Sequence, residues 1–534
     1  MKLSLRRHIG PAIAFSVLAC FCSNAFSQPI SPLLVGQNAW MNPNTQMWQL
    51  VTNCGVQSVR IGGAGYDNGM SSNATLMDWV TQIKKMGAEP IMQVSRYGTA
   101  QQAANLVTYF NKTSNVKVTY WSIGNEPDLN ASPGAANVAS YIKSFATAMK
   151  AVDPTIKIYV PDCAWLDSPY YTSLIGGDQD ICGKDGNGNY YIDGAAFHTY
   201  PFGSSYSRDQ VVNGAAAGIR SSAVTLAGLI AKANTKNNRS GANALGWGLT
   251  EFNITYANPS PNNPDGFGVH SFLNGQFFAE VYGVGMAYAA TFMNTWSMFE
   301  SNGSRNSTDL SFLDGSAMTP RSSYYHMQLI AKNFSGSYAT GTSNLPNVRA
   351  YGCKDVGKIC VMLLNMENTA QRAYTVQLNT TPITGAVESK INIDAGCAKS
   401  YSSTIGNQST QVLVFTADGQ LTKKYSYSLS MYSANQPPSV ETFTVSTLPE
   451  KTSRHQSSFE NASAVMDGNV LVVNMRNPDK FSVECISPDG KIVKSVRGFG
   501  SACRIDATSL TDGVYVVKIQ SGAGSELKSV VVGR

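Results

Sequence analysis

Two glutamates carry the chemistry this sequence offers most clearly. Glu126 lies in "YWSIGNEPDLN" and Glu251 in "LGWGLTEFN". Each closes an apolar run that reads as a buried strand, where a carboxylate is costly unless partnered. Two carboxyl groups facing one bound sugar can hydrolyse a glycosidic bond. One protonates the leaving oxygen, and the other attacks the sugar carbon or activates a water. Retention of configuration needs the pair roughly 5–5.5 Å apart, and inversion needs roughly 6.5–9.5 Å. Further strand ends carry polar or aromatic groups: Arg60 in "VQSVRIGG", Asn125 ahead of Glu126, His198 and Tyr200 in "IDGAAFHTY", and Trp296 in "ATFMNTWSMFE". Pro127 stiffens the turn that would aim Glu126.

The elements that must position these groups repeat along the chain. Eight strand-like runs lie between residues 33 and 335: "LLVGQNAW", "VQSVRIGG", "EPIMQVSRYG", "VTYWSIGNE", "IKIYVPDCAW", "IDGAAFHTY", "LGWGLTEFN" and "ATFMNTWSMFE". Helical stretches separate them, among them "NATLMDWVTQIKKMG", "AANVASYIKSFATAMKAV", "SSAVTLAGLIAKANT" and "FFAEVYGVGMAYAA". Repeated strand–helix units build a parallel sheet buried on both faces. Eight of them predict a closed (β/α)8 TIM barrel over 28–338, with an open doubly wound sheet as the alternative. In such a barrel the reactive groups stand at the C-terminal ends of the strands. Short alternating runs over 339–430 predict a β-sandwich domain. Residues 431–459 are polar and proline-containing and read as a linker. Residues 460–534 read as a small C-terminal β module.

The ordered set "SVRIGG", "GNEP", "FHTYP", "LTEFN" and "NTWSM" resembles clan A of the glycoside hydrolases, the retaining (β/α)8 enzymes, over about residues 33 to 335. "VRIGGAGYD", "IGNEPD" and "TPRSSYYHMQLIAKNFSG" are similar to families 79, 39 and 30 of those enzymes. The resemblance implies a secreted enzyme cleaving β-linked polysaccharide or oligosaccharide without a cofactor or metal. It implies Glu126 as acid/base and Glu251 as nucleophile, held ionised by Arg60 and Tyr200. It implies Asn125 on the sugar 2-hydroxyl, His198 within this network or on substrate, and Trp296 as the floor under the ring. Trp40, Arg96, Asp128, Trp165 and Glu300 are further subsite candidates. The ending "TDGVYVVKIQSGAGSELKSVVVGR" resembles the C-terminal sorting domain of the type IX secretion system, which implies that machinery as a partner. A carbohydrate-binding or immunoglobulin-like module is the alternative for this ending. Two functional alternatives stand beside the main reading: a non-catalytic carbohydrate-binding protein on a decayed barrel, and a uronic-acid-directed hydrolase.

Composition agrees with export. Of 534 residues, 43% are hydrophobic and 14% charged, with 47 glycines and 25 tyrosines, as suits a secreted, loop-rich protein. The net charge of +6 is small for this length and permits an acidic partner without arguing for one. Residues 1–27 read as a signal peptide: Lys2, Arg6 and Arg7, then "IGPAIAFSVLACFC", then small residues before a cut near Ser27. "SVLAC" also admits a lipoprotein cleavage ending at Cys20. That apolar run is too short to span a membrane, and no membrane span is expected. Eight cysteines remain after the signal, and an even number in an oxidising compartment predicts disulfides. The expected pairs are Cys353 with Cys360, Cys163 with Cys182, Cys485 with Cys503 and, by elimination, Cys54 with Cys397.

Several chemistries find no motif. There is no C-x-x-C or H-E-x-x-H zinc spacing. "RIGGAGYDNG" follows a strand but lacks the G-x-G-x-x-G spacing of a dinucleotide site. No phosphate loop or G-x-S-x-G serine elbow occurs. Basic residues do not cluster with aromatics as nucleic-acid binding wants.

Overall fold

The structure is a computed structural model that describes residues 28–41, 43–129, 134–257, 263–300, 309–314, 318–379, 390–444, 462–521 and 524–532. The expected signal peptide lies outside the described residues. The chain divides into two compact units, 1–445 and 446–534.

The first unit opens with a closed barrel of eight parallel strands in sequence order. They are β1 Val35–Ala39, β2 Ser58–Ile61, β3 Glu89–Val94, β4 Tyr120–Ile123, β5 Lys157–Cys163, β6 Gly194–Thr199, β7 Gly246–Phe252 and β8 Phe292–Thr295. All eight fall within the runs that the sequence marks as strands. The helices Asn73–Lys85, Ala135–Val152, Ala216–Lys236 and Phe272–Ala287 fall where the three- and four-residue apolar steps put them. Among the described residues, one helical stretch, Arg208–Lys236, is long and apolar enough to cross a membrane by length and composition. It joins β6 to β7 and buries Ile219, Ala223, Leu226 and Ile230, as a barrel helix does.

The barrel interior is layered by polarity. Ile91, Tyr159, Ala196 and Phe292 form a small apolar plug low in the barrel. Above it lie Asn38, Arg60, Gln93, Asp162 and His198, every one fully buried. These sit towards the C-terminal strand ends, so the polar layer is the floor of the barrel mouth.

Two bulges set which side chains reach that mouth. Val160 and Cys163 of β5 both pack outward with the helices, although strict alternation would place them on opposite faces. The register with β6 skips from Pro161 to Cys163, which turns Asp162 inward. In β7, Leu249 and Phe252 both face the helices, and Phe252 packs on Phe278 at 5.0 Å. The register passes from Phe197↔Leu249 to His198↔Glu251, leaving Thr250 as the extra residue and turning Glu251 into the mouth. The two bulged residues bond to each other: Thr250 Oγ1 donates to Asp162 Oδ1 at 2.6 Å.

Two further sheets follow. One has four strands, Gly341–Ser343, Lys390–Ile393, Arg372–Gln377 and Ser400–Ile405 in spatial order. The other has six, from Ser439–Thr442 through Leu421–Ser428, Ser409–Thr416, Lys358–Asn365 and Val348–Asp355 to Ser337–Ala339. The six-stranded sheet is covered on both faces. Ile359, Val361 and Leu363 face the sandwich core, and Cys360, Met362 and Leu364 face the barrel helices. That is why "KICVMLLN" is apolar throughout and does not alternate. Between barrel and sandwich runs Phe272–Ala287, a helix buried on all sides. Its Glu280 meets Arg349 Nε of the sandwich at 3.1 Å. The chain that precedes β1 is tied to the same sheet, with Ile30 N donating to Gly336 O at 2.8 Å.

The segment read as a linker from 431 differs in its first part. The helix Leu429–Ser433 ends inside it, and Ser439–Thr442 pairs with Leu421–Ser428 as an edge strand. An exposed polar strand carries no apolar alternation, so its pattern matches that of a linker. The remainder, 445–459, lies outside the described residues.

The expected disulfides are absent among the described residues, whose eight cysteines are all thiols. Cys353 and Cys360 do face each other across the hairpin, in hydrogen-bond contact. The other expected partners turn to different neighbours. Cys485 is opposite Lys494 and Cys503 opposite Val473 in the same ladder. Cys163 Sγ sits at the end of β5 beside Tyr171, whereas Cys182 Sγ turns to Leu174 O at 3.9 Å. Cys54 turns to Tyr324 O at 3.5 Å, while Cys397 lies against Gly419 in the sandwich.

The second unit is a five-stranded sheet: Ala462–Asp467, Val470–Ile486, Ile492–Asp506, Gly513–Ser521 and Gly524–Val532. Leu471, Val473, Val483, Tyr515, Val517 and Ile519 form its core, with Cys485 and Cys503 buried among them.

Candidate active site

Glu251, at the end of β7, is held by two donors. Arg60 Nη1 lies 2.8 Å from Oε1, and Tyr200 Oη donates to Oε2 at 2.8 Å. Glu126 follows β4 on a backbone with φ +44°, the left-handed region that costs a non-glycine residue about 1–3 kcal/mol. Two bonds hold that turn: Glu126 N donates to Asp162 O at 2.8 Å, and Asn125 N donates to Asp67 Oδ2 at 3.0 Å. Pro127 then opens a short 3₁₀ turn, Pro127–Leu129. His198 Nδ1 is 2.9 Å from Glu126 Oε1 and 3.7 Å from Glu251 Oε2.

Arg60 organises the floor. Its Nη1 also reaches Asn38 Oδ1 at 3.1 Å. Its Nη2 reaches Gln93 Oε1 at 3.0 Å and Asn125 Oδ1 at 2.7 Å, with Asp162 Oδ2 at 3.5 Å. Burial alone would weaken its charge, but Asp162, Glu251 and Glu126 outweigh that and hold its pKa above the usual arginine value. Burial, then the Glu251 and Glu126 charges, push Tyr200 well above the usual tyrosine range, so it stays a donor.

Burial likewise opposes a charged His198, and its Nε2 has no hydrogen-bond partner among the described residues. The charges of Glu251 and Glu126 and the bond to Glu126 prevail, and the His198 pKa is raised. A raised folded-state value gives stabilisation that is complete below the unfolded pKa of about 6.5 and lost as pH climbs through the folded value. The stability gap between wild type and His198→Gln is therefore expected to be widest between about pH 5 and 6.5 and to narrow above neutrality. Urea denaturation across a pH series measures it, and a gap that widens with pH contradicts it.

Trp296 lies just past β8 with its ring buried and stacked on Trp40, centroids 5.8 Å apart. Its Nε1 donates to Glu300 Oε1 at 3.0 Å, and Glu300 Oε2 accepts from Leu310 N at 2.6 Å. The second glycine of "RIGGAG" makes room for this ring. A Cβ on Gly63, where φ is +112°, would stand 2.5 Å from Trp296 Cη2. Gly63→Ala is expected to cost about 1–3 kcal/mol through backbone strain and overpacking and to displace the indole. Urea denaturation with near-UV circular dichroism tests this, and a wild-type midpoint and spectrum would refute it.

The sequence-predicted residues Arg60, Asn125, Glu126, His198, Tyr200 and Glu251 thus meet in one network of hydrogen bonds and ion pairs. Asn125, Glu126, Tyr200, Glu251 and Trp296 line one cleft of about 840 Å³. Of the subsite candidates, Trp165 and Glu300 line the same cleft. Arg96 turns instead to Asp67, and Asp128 accepts from Ala164 N at 3.0 Å. Sequence reading missed Asn38, Gln93 and Asp162, which stand near the ends of β1, β3 and β5. The strand-end rule that finds Arg60 also finds Asn38 and Gln93 when applied to every strand, whereas Asp162 reaches the mouth only through the bulge in β5. Asp67 had no such signal, because it lies in a loop helix, Ala64–Asn68.

Glu126, His198 and Glu251 each offer one ligand-type atom, all within 4.8 Å of one another. A metal ion drawn to them would sit beside the Arg60 guanidinium, which already answers the Glu251 charge.

Residues 468–533 match the family model described as the secretion system C-terminal sorting domain. The chain is accordingly exported by the type IX route, to the cell surface or the medium. Among solved structures, a family 51 arabinofuranosidase from Xanthomonas axonopodis pv. citri is similar at TM-score 0.53 and 13% identity, over 73% of this chain and 97% of that one. A family 44 xyloglucanase from Paenibacillus polymyxa is similar at TM-score 0.52 and 12% identity, over 73% and 97%. An α-L-arabinofuranosidase from Thermotoga maritima is similar at TM-score 0.50 and 15% identity, over 73% and 95%. These neighbours are clan A glycoside hydrolases, and the likeness is one of fold. No curated protein sequence matches the chain.

Proposed function

We propose that this protein is an exported retaining glycoside hydrolase that cleaves β-glycosidic bonds in a polysaccharide or oligosaccharide. The observation that supports it best is the approach of one Glu126 oxygen and one Glu251 oxygen to within 4.8 Å at the floor of an open cleft. Oxygens this close fit the carboxyl separation of roughly 5–5.5 Å in retaining enzymes better than the roughly 6.5–9.5 Å that lets a water between an inverting pair.

In this reading the Glu251 carboxylate, held in place by Arg60 and Tyr200, attacks the anomeric carbon. The bond to the leaving oxygen breaks, and that oxygen takes the proton of Glu126. Glu126, now a carboxylate, then removes a proton from water. The resulting hydroxide attacks the same carbon and frees Glu251. His198 orients Glu126. Asn125 gives its carbonyl to Arg60 at 2.7 Å, which leaves its amide N–H groups for the sugar 2-hydroxyl.

The test is incubation with 2-deoxy-2-fluoro glycosides matched to whichever 4-nitrophenyl glycoside the protein cleaves, followed by peptide mass mapping. A sugar adduct on Glu251 is expected. If no glycoside or plant or algal polysaccharide is cleaved while glycans still bind, the chain is a binding protein instead.

A further inference from the structure

We infer that the cleft takes an uncharged sugar chain and rejects uronic acids, with Trp165 and Tyr256 as the faces on which a further sugar stacks. The inference rests on the glycosidase reading and names its substrate class.

Charge comes first. Among the described residues that line the cleft, the ionisable acids are Glu126, Glu251 and Glu300, and neither lysine nor arginine is present. Arg60 lies beneath them with no exposed surface, and its two terminal nitrogens already serve Asn38, Glu251, Gln93 and Asn125. Arg96 is turned away, its Nε 3.1 Å from Asp67 and its Nη2 2.8 Å from Tyr97 Oη. A uronate carboxylate in this cleft would meet like charges, with no lysine or arginine among the described lining residues to receive it. A neutral sugar offers hydroxyl donors, and the carboxylates can accept from them.

Apolar surface comes second. Trp165 is 50% exposed and Tyr256 64% exposed, and both line the cleft that holds the two glutamates. Large aromatic faces left in water beside a polar site mark a contact surface. Sugar C–H faces pack on such rings, and the ring's negative face disfavours an anion lying over it. Tyr256 is seated over Gly203: a Cβ there would stand 2.7 Å from its hydroxyl.

The experiment is a glycan array probed with full-length Glu251→Gln protein, using matched pairs that differ only in a hydroxymethyl or a carboxylate: β-glucosides against β-glucuronides, and β-galactosides against β-galacturonides. At least about tenfold preference for the neutral member of a pair is expected. Trp165→Ala and Tyr256→Ala, made in the same background, are each expected to lose about tenfold in affinity for oligosaccharides of three or more units. Equal or tighter binding of the uronate member overturns the inference while the glycosidase reading stands. An array silent for every sugar, with wild-type protein inert on the same compounds, overturns the glycosidase reading and this inference with it.

Discussion

Glu251→Gln is expected to lower kcat by about 10⁴-fold or more while leaving the fold intact, on the scale at which removing a covalent nucleophile acts. The amide keeps the shape of the side chain, and its oxygen can still accept from Arg60. It lacks the charge that attacks carbon. Asp162 and Glu251 both face the one Arg60 guanidinium beside Glu126, so removing the Glu251 charge relieves repulsion at the mouth. A thermal midpoint equal to or above that of wild type is therefore expected. Kinetics on the best 4-nitrophenyl glycoside, together with a melting curve, check both parts. Substantial residual turnover with a normal fold would remove Glu251 from the role of nucleophile.

The second large effect concerns Glu126 and depends on the leaving group. Glu126→Gln is expected to cost about 10²–10⁴-fold on natural glycosides, whose departing alkoxide needs a proton. A dinitrophenyl glycoside leaves without one, and its first step should lose far less. With Glu126→Ala, azide should enter the vacated space and restore turnover, giving a glycosyl azide of the substrate's own configuration. The alkaline limb of the pH profile should disappear with the carboxyl. Equal losses for good and poor leaving groups, with no azide rescue, would mean that Glu126 serves only to hold the turn after β4.

Much of this site is legible in the sequence, because barrel geometry converts strand order into position. Once eight apolar runs define a barrel, the polar and aromatic residues that end them stand at the mouth, which singles out Arg60, Glu126, His198, Glu251 and Trp296. The bulges at Asp162 and Thr250 could not be read this way. Alternation in "KIYVPDC" and "GWGLTEF" assigns side chains to faces only if no residue is inserted, and one extra residue reverses every later assignment. The cysteine expectation failed for a related reason. An even count in an exported chain says nothing of register, and register sets Cys485 against Lys494 rather than Cys503. Only the hairpin around "KDVGKI" was short enough for spacing to fix a facing pair, and even there the two groups are thiols. The edge strand Ser439–Thr442 was missed because it is held by backbone bonds to Leu421–Ser428, with its side chains in solvent.

The account rests on Glu126 and Glu251 acting in turn on the same anomeric carbon, and proton NMR of the sugar released in the first turnovers tests this most directly. It predicts a first-formed hemiacetal with the anomeric configuration of the bond that was cut, mutarotating only afterwards. A first-formed product of opposite configuration would show that water, and not Glu251, reached the carbon.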